Sequence, residues 1–215
     1  MKDKRLEGSG PRVLAAFAHV SDPARVDRYI DKIRESLKQA NARFIQFKAT
    51  CLLLLLAYHL FAFGGSTEIS FLGVRITNTD LITKWFLVLP STAYCLSTCY
   101  GYLRVYQQET IEWMLAKFYP EEYESGIYRL TFPSSYILGL DMMNREGSIL
   151  TRLIAWVPTG LFVIGGVYLP PIYTYVAYKQ SFRSIGSDPQ LIASAIISGL
   201  LFVASYLIIR RSQKI

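Results

Sequence analysis

The chain has 215 residues, of which 52% are hydrophobic and 18% charged, with a net charge of +7. A chain of this length could close one soluble core, but the long apolar runs it carries exclude an ordinary soluble domain and call for surface that faces lipid. The charge has a topological reason: Lys and Arg number eleven from Lys2 to Lys48, two at Arg75 and Lys84, five from Arg104 to Arg152, two at Lys179 and Arg183, and three after Ile209. Under the positive-inside rule this alternation puts the N-terminus, the middle connector and the C-terminal tail in the cytoplasm, so no nucleic-acid partner is expected.

Residues 1–21, interrupted by Gly8, Gly10 and Pro11, read as a flexible N-terminus. Ser21, Asp22 and Pro23 then form a helix start: Asp22 can accept from the first N–H groups, and Pro23 sits where its missing donor costs nothing. Over 22–48, Val26, Ile30, Ile33, Leu37, Ala40, Phe44 and Phe47 recur at alternating spacings of four and three. This is the seam of a cytosolic amphipathic helix, with Asp31 set to pair with Arg28 and Glu35 with Lys38 on the other faces. The seam is expected to meet copies of itself or a partner; packing on the cytosolic connector of the same chain is the competing reading. Neither Gly nor Pro interrupts Ala24 to Phe63, so the helix should continue into a first span at 45–63 and reach roughly 60 Å.

The first loop, 64–84, alternates apolar and polar residues about Leu72 and Gly73 and predicts a small extracytoplasmic β-hairpin, Ile69 opposite Ile76 and Phe71 opposite Val74. In the second span, 85–103, Pro90 predicts a kink, and Ser91, Cys95, Thr98 and Tyr102 form a weakly polar stripe suited to helix packing. The connector 104–152 should extend this helix to Tyr119, where Pro120 ends it. Its apolar residues Ile111, Met114, Leu115 and Phe118 share one face, and a compact cytosolic layer is expected to cover them.

The third span, 153–173, holds Pro158, Gly160, Gly165, Gly166, Pro170 and Pro171 and should be bent or broken near both ends, with Tyr168, Tyr173, Tyr175 and Tyr178 at its outer interface. An extracytoplasmic loop, 174–190, leads to the fourth span, 191–209, where Ala195 and Gly199, like Ser194 and Ser198, are spaced for close helix approach. Arg210 and Arg211 open the cytosolic tail, 210–215. The fold class expected is thus an all-α integral membrane protein of four spans, with a long cytosolic helix continuous with the first.

Catalytic chemistry is not legible. Motifs for zinc peptidases, P-loops and serine nucleophiles are lacking, and Cys51, Cys95 and Cys99 all fall inside proposed spans. Cys95 and Cys99 share a face, but His19 and His59 are the only histidines and no ligand set converges, so neither metal nor cofactor is expected. His59 is the titratable group singled out within a span, read as a neutral interfacial histidine bonded to a neighbour. Glu109, Glu112, Asp141 and Glu146, with Arg129 and Arg145, are the candidates for surface acid–base work, yet their spacing does not set them apart from a solvated face.

The expected protein is not an enzyme. It is an oligomer in the lipid bilayer, in a bacterial inner membrane, whose cytosolic layer binds a protein partner or signal and whose bundle acts as scaffold, sensor or pore. A small-solute transporter or channel is the first alternative and a lipid-acting enzyme at the membrane surface the second.

Overall fold

A computed structural model of the chain describes residues 23–63, 69–71, 74–76, 84–125, 157 and 164–212. The expected flexible N-terminus 1–21, the loop from 126 to 152, most of the expected third span including Pro158 and Gly160, and the last tail residues lie outside these. So do His19, Arg129, Asp141, Arg145 and Glu146. The described chain is built from five helices: α1 (Pro23–Phe63), α2 (Val88–Phe118), α3 (Pro120–Ser125), α4 (Leu169–Ile185) and α5 (Pro189–Ser212). Between α1 and α2 the backbone pairs β1 (Ile69–Phe71) antiparallel with β2 (Val74–Ile76), Ile69 opposite Ile76 and Phe71 opposite Val74.

Helix α1 runs 41 residues without a break. Its two halves expose different chemistry. Before Phe44 the exposed positions are mostly charged or polar, whereas Leu52, Leu53, Leu56 and Leu60 stand exposed along the second half. Both α1 and α5 are long and apolar enough to cross a membrane, and most of their apolar stretch is exposed, unlike the core helix of a soluble protein. On the charged half Asp31 pairs with Arg34 at 3.5 Å, not with Arg28, whose Nε donates to the Ala24 carbonyl. The pair is solvent-exposed and contributes little to stability.

Helix α2 lies antiparallel along α1, and the partners run in opposite order. Tyr119 donates to Asp27, Gln107 to Ser36 and Arg104 to Asn41, while Tyr100 stacks on Phe47. Pro90 does not kink this helix. The regular helix begins only at Val88, which places Pro90 in the first turn, where no intrahelical donor is lost. At the other end the backbone leaves helical geometry at Tyr119 (φ −136°, ψ 63°), and Pro120 starts α3.

The third apolar stretch departs most from expectation. A π-helical turn, Ile164–Tyr168, contains Gly165 and Gly166 and leads into α4, whose first turn takes Pro170 and Pro171. The segment expected as a loop at 174–190 is helical as far as Ile185, because neither Gly nor Pro follows Pro171 until Gly186. The level of this helix is also shifted: Gly166 lies against the Lys48 side chain, Val167 beside Tyr94, Tyr173 beside His59, and Asp188 beside Lys84. Residues 166–185 therefore flank the apolar half of α1, and Tyr168 sits near the Lys48 level, far from the end where an outer aromatic belt was expected.

Residues 186–188 join α4 to α5. Gly186 has φ 81° and ψ −163°, a region essentially closed to residues with a Cβ. Gly186→Ala is expected to cost about 1–3 kcal/mol, visible as a lower midpoint in thermal unfolding of detergent-purified protein. Asp188 then caps α5, its Oδ1 accepting from the N–H groups of Gln190 (2.8 Å) and Leu191 (3.3 Å).

Candidate functional site

The expected seam is filled from within the chain. Val26, Ile30 and Leu37 are buried with Ile111, Met114 and Leu115 of α2, and Ile33, Phe118, Tyr119 and Tyr123 pack around them. The period of the seam defined the apolar face correctly. Within the chain its occupant is α2. Ala40 is buried next in line, and Phe44 and Phe47 continue the seam as aromatic contacts. Gly101 permits the closest approach here, since a Cβ at that position would stand 3.2 Å from the Phe44 ring.

The rim of this helix pair is polar. Tyr119 donates to Asp27 at 2.6 Å, and this hydrogen bond to the carboxylate pushes the phenol up to about 12. Burial, followed by the nearby Glu112, raises Glu109 above the usual carboxylate range. Glu109 Oε2 and Gln107 Oε1 are buried with no hydrogen-bond partner among the described residues.

Above this pair the chain places two cations on aromatic faces. Arg104 lies over the Phe44 ring at 5.1 Å while donating to Asn41, and Lys48 Nζ lies 4.7 Å from the centre of the Tyr94 ring. Such contacts contribute roughly 0.5–2 kcal/mol each, more when desolvated. Lys48 and Tyr94 line a small cavity of about 140 Å³ together with Phe44, Thr98 and Val167. Sequence reasoning counted Lys48 among the cytosolic cations and missed that it projects inward. Its position within the 45–63 apolar run was the available signal.

The remaining expected site residues separate into two groups. Pro90, Ser91 and Thr98 are buried, and the Ser91 and Thr98 hydroxyls donate to the carbonyls one turn back, which lets them pack without an unmet donor. Cys51 is buried, Cys95 half-buried and Cys99 exposed. Among the described residues, no group of three metal-ligating side chains converges. Ala195 packs against the buried cluster that contains Ala177 and Tyr178 of α4, whereas a Cβ added to Gly199 would meet nothing within 4 Å. The stripe lines a cleft of about 590 Å³ between α4 and α5.

At the end of the molecule opposite the α1–α2 seam, His59 Nδ1 is 3.0 Å from the Tyr173 hydroxyl, Tyr58 is bonded to Ser181 and Tyr178 to Ser198. Lys84 closes this end with a 3.0 Å ion pair to Asp188. The hydrogen bond from Lys84 holds the Asp188 carboxyl below its ordinary value. Because the folded-state pKa is lowered, the contribution of this pair is present above the unfolded value, about 3.9 for Asp. It is lost as the pH falls through the lowered folded value. Asp188→Asn is therefore expected to reduce thermal stability at pH 7 and to flatten its acid dependence below about pH 4. Unfolding midpoints collected from pH 2 to 7 check both limbs.

No family model matches the chain, and no match is found among curated proteins or solved structures.

Proposed function

We propose that this chain is a non-enzymatic integral membrane protein of four spans, with a cytosolic helical stalk that receives a partner or signal and a bundle that acts as scaffold, sensor or pore. One observation carries the proposal: α1 is a single uninterrupted helix, packed and charged in its first half and leucine-faced in its second. A displacement of the stalk is then transmitted along the helix without a hinge, which is what a two-state element linking two compartments requires.

In this reading the spans are the second half of α1, the first half of α2, the stretch from the π-turn through α4, and α5. From Gly166 to Ile185 the third crosses roughly 30 Å at 1.5 Å per residue. The Lys84–Asp188 end faces away from the cytoplasm, and the hairpin caps it. The charge alternation supports both termini lying in the cytoplasm of a bacterial inner membrane. The bundle is a homo-oligomer that assembles through lipid-facing surface, since the stalk seam is already occupied.

Reporter fusions after Asn78 and Ser187 should be active outside the cytoplasm, and those after Glu124 and Ile215 inside. Light scattering of the detergent-purified chain should give a defined multiple of the monomer mass. An externally active reporter at Glu124, or a monomer with a protease-sensitive stalk, would falsify the proposal. The cleft between α4 and α5 favours a small-solute transporter as second reading. Stabilisation by a soluble solute, in the absence of lipid, would put that reading first.

A further inference from the structure

We infer that the cleft between α4 and α5 is a phospholipid site, which takes one anionic lipid from the leaflet on the Gly186 side. The inference rests on the membrane-spanning reading given above. The phosphate lies on Lys179 and Arg183, and one acyl chain runs along the cleft.

Three observations meet in this place. First, α4 and α5 are consecutive helices joined by a short turn, yet they splay and leave a cleft of about 590 Å³. This is within the roughly 300–1,000 Å³ of ordinary ligand sites. The splay leaves the space above Gly199 open, and the Tyr178–Ser198 hydrogen bond of 3.0 Å bridges the two helices beside it. Second, the lining is graded along its length. Lys179 and Arg183 stand one turn apart near the Gly186 end, whereas Pro171 and Phe202 close the other. Neither cation has an ion-pair partner among the described residues, and the nearby carboxylate of Asp188 is engaged by Lys84.

Third, the cleft has the length of one leaflet. Arg183 and Pro171 lie on one helix, and twelve residues rise about 18 Å. A bilayer measures roughly 40–45 Å with its headgroups, so a phosphate held at Arg183 leaves its chain ending near the midplane, at Pro171.

A second copy of α5 is the competing occupant, because small residues also suit helix packing in membranes. The cations decide against it. An apolar helix brings no anion to Lys179 and Arg183, whereas a phosphodiester brings one at the depth where they stand.

The test uses the full chain purified in a maltoside detergent, supplied with phosphatidylglycerol or phosphatidylcholine, with bound lipid counted by native mass spectrometry and stability read by thermal unfolding. The wild type should hold one phosphatidylglycerol per chain, at least tenfold more tightly than phosphatidylcholine. Lys179→Gln/Arg183→Gln should abolish that preference and leave phosphatidylcholine binding as it was. Gly199→Leu, which fills the open space, should remove the bound lipid; Ala195→Phe, nearer the α5 start, serves if the first variant does not fold.

Equal lipid retention by wild type and both filled variants overturns the inference. So does a fall in oligomer mass on filling the cleft, which would make it a contact between copies, and so does equal protection by inorganic phosphate. Release of the protein from membranes by alkaline carbonate would instead defeat the membrane-spanning reading itself, whatever the lipid count.

Discussion

Ile111→Ala is expected to destabilise the stalk by about 2–5 kcal/mol, the range for deleting a large aliphatic side chain in a packed core. Ile111 is 0% exposed and shares its cluster with Val26, Ile30, Leu37, Met114 and Leu115. This part of the molecule stands among charged surface, so the burial there carries both the transfer from water and the packing lost to a cavity. Limited proteolysis at the basic residues between Arg25 and Lys38 reads the effect, with faster cleavage expected in the variant. Ile45→Ala is the control: Ile45 is 55% exposed, and its replacement should leave the cleavage rate nearly unchanged. Because both sides of this core belong to one chain, cleavage should not depend on protein concentration. Protection that grows with concentration would mean that the seam is completed by another copy.

The period of the seam was legible because a heptad repeat fixes which residues share a face. What covers that face is not contained in the repeat. The answer lay 74 to 89 residues on, in Ile111, Met114 and Leu115, which were recognised as a second apolar face. Opposite charge between the helix and the acidic connector was the weaker guide. The pairing rests on apolar fit, and the observed Tyr119–Asp27 and Gln107–Ser36 bonds form at its rim.

Pro90 and the third apolar stretch show where local signals fall short. A proline has opposite consequences in a first turn and in a helix centre, and the difference here is a displacement of the helix start by three residues, from Trp85 to Val88. Hydropathy alone centred the third span on 153–173, most of which lies outside the described residues; among the described residues 166–185 lie along α1, and there Lys179, Gln180 and Arg183 dilute the apolar character. Cations near a helix end can reach the interface with their long side chains, so the hydropathy maximum and the packed segment need not coincide. The Lys84–Asp188 pair and the α4–α5 cleft were not readable at all, because each depends on the level at which two separated segments meet.

Tyr94→Ala is expected to cost about 3 kcal/mol, the lower end of the range for removing a large aromatic side chain from a core. In the membrane-spanning reading proposed above, the lower end applies because lipid is as apolar as the protein interior, so only the lost packing counts and no transfer from water is added. Four elements meet on this one side chain. Its ring takes Lys48 of α1 and packs on Phe202 of α5, it belongs to α2, and its hydroxyl donates to the Val167 carbonyl of the π-turn at 3.0 Å. Tyr94→Phe removes only the hydroxyl and should cost about 1 kcal/mol, leaving the cation and the ring in contact. The two variants therefore separate packing from hydrogen bonding. Lys48→Met supplies the remaining term. It deletes a cation–π contact of about 0.5–2 kcal/mol, but it also relieves a charge held within an apolar run, at about 2.5–3.5 kcal/mol near a span centre and less toward its end. The two nearly cancel, and Lys48→Met should change stability by less than about 1 kcal/mol. In a Tyr94→Ala background the favourable contact is already gone, so the same substitution should stabilise the protein. A double-mutant cycle on thermal or denaturant unfolding measures that difference between backgrounds, and additive effects would mean that Lys48 does not rest on the Tyr94 ring.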